Sequence, residues 1–296
     1  MIGHALTEYL LRQNVEVTIL VRKNSTRIAS LPKDKRVTIV ACDLSQMEEA
    51  ELSDNQYDVF FHLGWAGTYG DSRNDLFLQN KNVEYTLNAV NLAHRLGCKT
   101  FIGAGSQAEY GRVEEQKLTP QTPAFPENGY GIAKLCAGQM SRIMAQAYGI
   151  KHIWFRILSV YGPYDGEQTM IMSGIVKMLE GESPEYTPAG QIWDYLYSED
   201  AAKALYLAAE KGKDGAIYCL GSGSAKPLKE YIEMIRDQIN PQIKLKFGAR
   251  SYAKKQVMYL CADISNLRED TGFTPEYAFE EGIRKTIAWY RGKANG

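Results

Sequence analysis

Tyr130 and Lys134 stand four residues apart in the run YGIAKLCAGQMSRIMAQAYG (130–149). On a helix that spacing puts both side chains on one face, with Cβ atoms about 5–6 Å apart. A free tyrosine has a pKa of about 10, too high for proton exchange near neutrality. An ammonium beside it stabilises the phenolate and brings that pKa down. The pair therefore suits giving or taking the proton of a carbinol while hydride moves to or from a nicotinamide. Lys134 can also hold a cofactor ribose. Ser106 ends the run KTFIGAGS (99–106), and its hydroxyl can polarise the same substrate oxygen. Alone, YxxxK recurs in many helices, where an exposed aromatic–lysine pair is its plain meaning.

Periodicity predicts the elements that must position these groups. Residues 1–13 carry Ile2, Leu6, Tyr9 and Leu10 at helical spacing. Strands are predicted at 15–21, 36–44, 57–65, 99–106 and 152–162. Long helices are predicted at 78–97 and 130–149, each closed by a glycine. The alternation argues for an α/β fold, a doubly wound parallel sheet with helices on both faces. Beyond residue 163 glycine and proline become frequent, and helices are expected at 201–212, 227–239 and 278–292. We therefore expect a dinucleotide-binding domain over 1–163. A smaller substrate-binding cap is expected over 164–296, with some segments returning to the sheet domain. Such sheets bind ligands outside the carboxyl ends of their strands.

Bulk properties exclude other classes. With 34 basic and 35 acidic residues the net charge is -1, which gives no electrostatic case for nucleic acid or a membrane surface. Cys42, Cys98, Cys136, Cys219 and Cys261 are odd in number and widely spaced, as expected of reduced thiols in a cytoplasmic protein. None of the four histidines pairs with Cys, Asp or Glu at metal-ligand spacing. No apolar run approaches the ~20 residues that span a bilayer.

Five segments in order resemble the extended short-chain dehydrogenase/reductase family, in particular its nucleotide-sugar epimerases, dehydratases and reductases. FIGAGSQAEYG (101–111) is similar to the family's catalytic-serine strand, and YGIAK (130–134) to its YxxxK motif. RILSVYGP (156–163), IWDYLYSEDAAKAL (192–205) and the closing stretch 261–290 resemble the segments that follow. The resemblance implies Ser106, Tyr130 and Lys134 as a catalytic triad. Its 4,6-dehydratases carry an Asp-Glu pair directly after the catalytic Ser or Thr; here those positions are Gln107 and Ala108. Elimination of water then has no obvious acid.

The nucleotide-binding fold normally opens with a strand and a Gly-rich turn into the first helix. This sequence starts inside that helix. Gly3 resembles the last glycine of the turn, so a Rossmann-like sheet lacking its first strand is expected, with weakened pyrophosphate binding. Strand 15–21 is followed by Arg22 and Lys23, with Arg27 close by and no acid in the turn. Arginine suits a ribose phosphate, which favours NADP(H), with NAD(H) possible. Asp43 is expected near the adenine, and Leu63, Gly64 and Trp65 along the cofactor. Asn82 reads as a surface residue or as the anchor of a helix near the site. On the substrate side Trp193, Tyr195 and Arg250 are candidates for a nucleoside-diphosphate sugar, with packing the competing role for the two aromatics. The expected activity is reduction of a 4-keto sugar. A 4-epimerase with tightly held NAD is the alternative, and a non-catalytic binder the rival from another class. The resemblance also implies a homodimer built on helices 78–97 and 130–149.

Overall fold

A computed structural model describes residues 1–52, 56–114 and 116–294. In the first half, α1 (Ile2–Arg12) leads to β1 (Val17–Val21), β2 (Val37–Ala41) and β3 (Val59–His62). Then come α2 (Leu76–Arg95), β4 (Thr100–Ser106), α3 (Gly129–Ala147) and β5 (Lys151–Ile157). The predicted strand 152–162 is in fact two strands, because β6 (Ser159–Tyr161) leaves the sheet after Leu158 and pairs with a later segment.

The second half holds α4 (Met170–Leu179), β7 (Ile192–Trp193), β8 (Tyr195–Tyr197), α5 (Ser198–Lys211) and β9 (Ile217–Leu220). It ends with β10 (Lys226–Pro227), α6 (Leu228–Ile239), β11 (Tyr259–Leu260), α7 (Ser265–Thr271) and α8 (Phe279–Ala294). Helices α4 and α7 were not expected from the sequence.

Strands β3, β4, β5 and β9 form a parallel sheet in that order, and β1 pairs with β2 in parallel. The sheet divides between β1 and β3, which do not pair among the described residues. A wide cleft lies there, lined by both strands. Helices α2 and α3 pack side by side, as do α1 and α5. Apolar residues of α1 and α5 share one core with Ile102, Ile153 and Phe155 of the sheet. Residues of α2 share another with Phe101. A further core gathers α4, α6 and α8 around Tyr161, Tyr197 and Phe279.

The long helices are placed by their caps. Asp75 accepts the Leu78 N–H at 3.1 Å at the start of α2, and Asn128 accepts the Gly131 N–H at 2.8 Å at the start of α3. Each cap satisfies one amide that the first helical turn leaves open.

Two buried histidines stack across the sheet. His62 and His152 flank Phe101 with centroid separations of 6.1 and 5.8 Å. Their Nε2 atoms meet Thr86 Oγ1 and Ser141 Oγ, at 3.2 and 2.9 Å. Burial pushes His62 down to about 3 and His152 down to about 4. Both stay neutral in the fold, so the unfolded chain takes up protons first as pH falls below ~6.5. Stability should be intact above that pH and decline below it, by at most about 1.4 kcal/mol per pH unit per histidine, until the folded values are reached. Urea midpoints between pH 7 and 5 should therefore fall less steeply in His62→Gln than in the wild type. An identical slope would remove His62 from this account.

Candidate active site

Ser106 closes β4, where its Oγ accepts the Ala108 N–H at 3.1 Å and starts a single 3-10 turn, Gln107–Glu109. Tyr130 and Lys134 occupy the first turns of α3. The two elements meet at Gly131: a Cβ there would stand 2.3 Å from the Ala108 carbonyl oxygen. Only a glycine lets α3 press its start against the turn after Ser106, which brings the Tyr130 ring to the serine.

Lys134 is 4% exposed. Its Nζ donates to the Ala104 carbonyl at 2.5 Å and lies 3.7 Å from the centroid of the Trp65 ring. Trp65 is held in turn by Gln79, whose Oε1 accepts the indole N–H at 2.9 Å. Burial pushes the Lys134 ammonium down to about 7, against an upward pull from Glu109.

Tyr130 is also buried, which raises its pKa; the Ser106 hydroxyl and then the Arg73 guanidinium pull it back down. Arg73 Cζ stacks 4.2 Å over the centroid of the Tyr130 ring, and its Nη1 donates to the Thr68 carbonyl at 3.2 Å. Lys134 Nζ is 5.8 Å from the same centroid. This corrects the sequence expectation. The i,i+4 spacing does place Tyr130 and Lys134 on one face, but the ammonium reaches across to β4. The nearer cation on the ring is Arg73, from the turn Gly70–Asn74, with Lys134 farther out over the same ring. Its run TYGDSRN carries no periodic signal, so sequence reasoning passed over it.

Gly3, Arg22, Lys23, Asp43, Leu63, Gly64 and Trp65 all line the cleft between β1 and β3. Ala104, the acceptor for Lys134, lines it too. The cleft measures about 3390 Å³, beyond the roughly 300–1,000 Å³ of a small-ligand pocket. The first turn of α1 abuts the end of β3, for a Cβ on Gly3 would be 3.7 Å from Leu63 Cδ1. Asp43 caps the turn Leu44–Glu49 and accepts the Ser45 N–H and hydroxyl, both at 3.2 Å. Asn82 is not a surface residue. It is 1% exposed, accepts the Ala66 N–H and donates to the Ala66 carbonyl, both at 2.9 Å, and so fixes the loop that carries Trp65.

The substrate-side candidates are not brought to this cluster. Trp193 Nε1 donates to Ser159 Oγ at 2.8 Å, and its ring packs between two cores. Tyr195 stands edge-on to Tyr231 and Tyr161, at 5.1 and 6.0 Å. Both aromatics pack the cap. Arg250 is exposed and is not among the residues that line the cleft; its backbone N–H donates to the Tyr186 carbonyl at 3.1 Å.

Residues 1–221 match the NAD dependent epimerase/dehydratase family. The chain belongs to that family. The dTDP-glucose 4,6-dehydratase of Escherichia coli is 30% identical over 191 residues, 61% of this chain and 52% of that protein. The chain thus matches about half the length of that relative. The UDP-N-acetylglucosamine 4-epimerase from Methanobrevibacter ruminantium M1, in complex with UDP-N-acetylmuramic acid, superposes with a TM-score of 0.89 at 25% identity, covering 99% of this chain and 96% of that one. RMD from Pseudomonas aeruginosa, complexed with NADPH, shares the fold at a TM-score of 0.82 and 20% identity, with 99% and 96% covered. Among the described residues no helix is long and apolar enough to cross a membrane.

The Arg73 contact is open to direct titration. Removing the guanidinium in Arg73→Gln should move Tyr130 ionisation to higher pH, and Arg73→Lys should move it less. Phenolate absorbance, read as the difference between each protein and its Tyr130→Phe partner, reports it. An unmoved titration would mean that Arg73 does not act on the ring.

Proposed function

We propose that this chain reduces a 4-keto nucleoside-diphosphate sugar, with NADP(H) as the favoured cofactor. The observation that carries the reading is the Ser106–Tyr130–Lys134 cluster beside the cleft. The cleft residues fit a dinucleotide. Arg22 and Lys23 follow β1 with no acid in the turn, which suits a ribose phosphate. Asp43 and residues 63–65 line the same cleft; in this reading Asp43 meets the adenine and 63–65 lie along the cofactor. When bound, the reduced nicotinamide supplies hydride.

In the reductive direction the Ser106 hydroxyl donates a hydrogen bond to the ketone oxygen and holds it beside Tyr130. The Tyr130 hydroxyl gives that oxygen its proton as the carbon is reduced. The phenolate left behind is stabilised by the Ser106 hydroxyl and by Arg73 over the ring. Lys134 does not itself line the cleft, but Ala104 and Trp65, which hold it, do; in this reading it takes a ribose hydroxyl there.

Dehydration is disfavoured in this reading. Gln107 and Ala108 carry no acid, and the carboxylate of Glu109 is committed to buried donors. The second reading, a 4-epimerase, is favoured by the 0.89 superposition on an epimerase. Both use the same three residues. We also read the chain as a homodimer through α2 and α3, on the strength of exposed Phe77, Ile132 and Ile143.

Tyr130→Phe should lower turnover about 100-fold or more while leaving the cofactor Kd within about twofold, because only the proton donor is lost. Retention of most activity would overturn the mechanism. A reductase should oxidise NADPH in a one-to-one ratio with product; conversion with no net NADPH loss would select the epimerase.

A further inference from the structure

Directly behind Ser106 lies a charged group that the mechanism does not use. Glu109 is 1% exposed. Its Oε1 accepts the Ser106 N–H at 2.8 Å and the Trp154 indole N–H at 3.0 Å. Its Oε2 accepts the Arg156 Nε–H at 2.8 Å, and Arg156 is 3% exposed. The chamber that holds these groups is cleared by glycines. A Cβ on Gly105 would stand 2.3 Å from both Glu109 Oε1 and Trp154 Nε1, and one on Gly138 would stand 2.7 Å from the Trp154 ring.

A buried ion pair is a weak source of stability, because desolvation offsets much of its attraction. What this one does is join the pieces that carry the chemistry. Through Ser106 it grips the end of β4, and through Trp154 and Arg156 it grips β5. Arg156 stacks 4.4 Å from the Tyr110 ring centroid and donates to the Pro120 carbonyl at 3.4 Å. It thereby holds the loop that runs on to Asn128 and delivers Tyr130. Three N–H groups converge on the two carboxyl oxygens.

We propose that Glu109 is a positioning residue, which fixes the Ser106 hydroxyl against Tyr130 and sets the charge balance of the Tyr130–Lys134 cluster from behind. The inference rests on the reading of Ser106, Tyr130 and Lys134 as the reacting groups. Tyr130 is faced by Arg73 and Tyr69 from the loop after β3, by Ser106 and Glu109 from the end of β4, and by Lys134 on its own helix. Lys134 is faced by Glu109, by neutral His62 from β3 and by Tyr130; Arg156 stands behind Glu109. Among these Glu109 is the carboxylate. It raises both Tyr130 and Lys134, so neutralising it must move both titrations to lower pH.

The test uses the full chain with Glu109→Gln and with Glu109→Gln/Arg156→Gln, which removes both charges. In Glu109→Gln, Tyr130 ionisation, read as phenolate absorbance against the matching Tyr130→Phe protein without substrate, should move to lower pH, opposite to Arg73→Gln. With a 4-keto nucleotide sugar, kcat should fall about tenfold with KM within about twofold. Should Glu109→Gln not fold, Glu109→Asp keeps the charge and shortens the reach; its kcat should fall while the Tyr130 titration stays in place. A folded Glu109→Gln protein with wild-type kcat and an unmoved Tyr130 titration would overturn the proposal. So would a Glu109→Asp protein with wild-type kcat where only that variant folds. Activity surviving in Tyr130→Phe would instead sink the reading on which the proposal rests.

Discussion

The burial of one ammonium organises this site. Lys134 is taken out of water and given two replacements for its hydration, the Ala104 carbonyl and the face of Trp65. Neither is a countercharge, so burial dominates and its pKa falls to about 7. A lysine so held costs stability unless its partners stay in place, and much of the local structure serves that end. Gln79 fixes the Trp65 indole, Asn82 fixes both polar atoms of the Ala66 backbone, and the close approach at Gly131 sets α3 against the turn after Ser106. The same packing draws Tyr130 under cover, where a phenol resists ionisation. The Ser106 hydroxyl and the Arg73 guanidinium oppose that rise.

Two cations thus divide what the spacing of Tyr130 and Lys134 suggested for one. Lys134 is held against Ala104 and Trp65, both of which line the cleft. Arg73 is the nearer cation on the Tyr130 ring. The division follows from geometry: an i,i+4 lysine can reach past its neighbour, and here it is drawn across to the open carbonyl at the end of β4. Behind the cluster, the Glu109–Arg156 pair ties β4, β5 and the loop to α3 into one frame.

Much of the fold was legible because strands such as VTILV and TFIGAGS are short apolar runs bounded by turns, while α2 and α3 keep a helical period and end at glycines. Ser106, Tyr130 and Lys134 were legible because local spacing and order along the chain carry them. Arg73 and Glu109 were not. Each gains its meaning from a contact with a residue distant in sequence or from burial, and neither sits in a periodic pattern. Trp193 and Tyr195 take the packing role that the sequence left open: aromatic residues near a binding segment fill the cap core, where their large rings bury more area. The division of the sheet between β1 and β3 places Gly3, Arg22, Lys23, Asp43 and residues 63–65 along one cleft, although they come from four separate segments.

Membership of the NAD dependent epimerase/dehydratase family agrees with this arrangement, and the reaction proposed depends on the state of Lys134 and Tyr130. The most direct measurement is a pH titration of the lysine Cε resonances in protein labelled with carbon-13 lysine, with Lys134→Met as the assignment control. The account requires one resonance, absent from Lys134→Met, to titrate near 7 while the exposed lysines titrate near ~10.4. If every lysine titrates with the exposed set, the buried ammonium is not there, and the account of the site built on it is wrong.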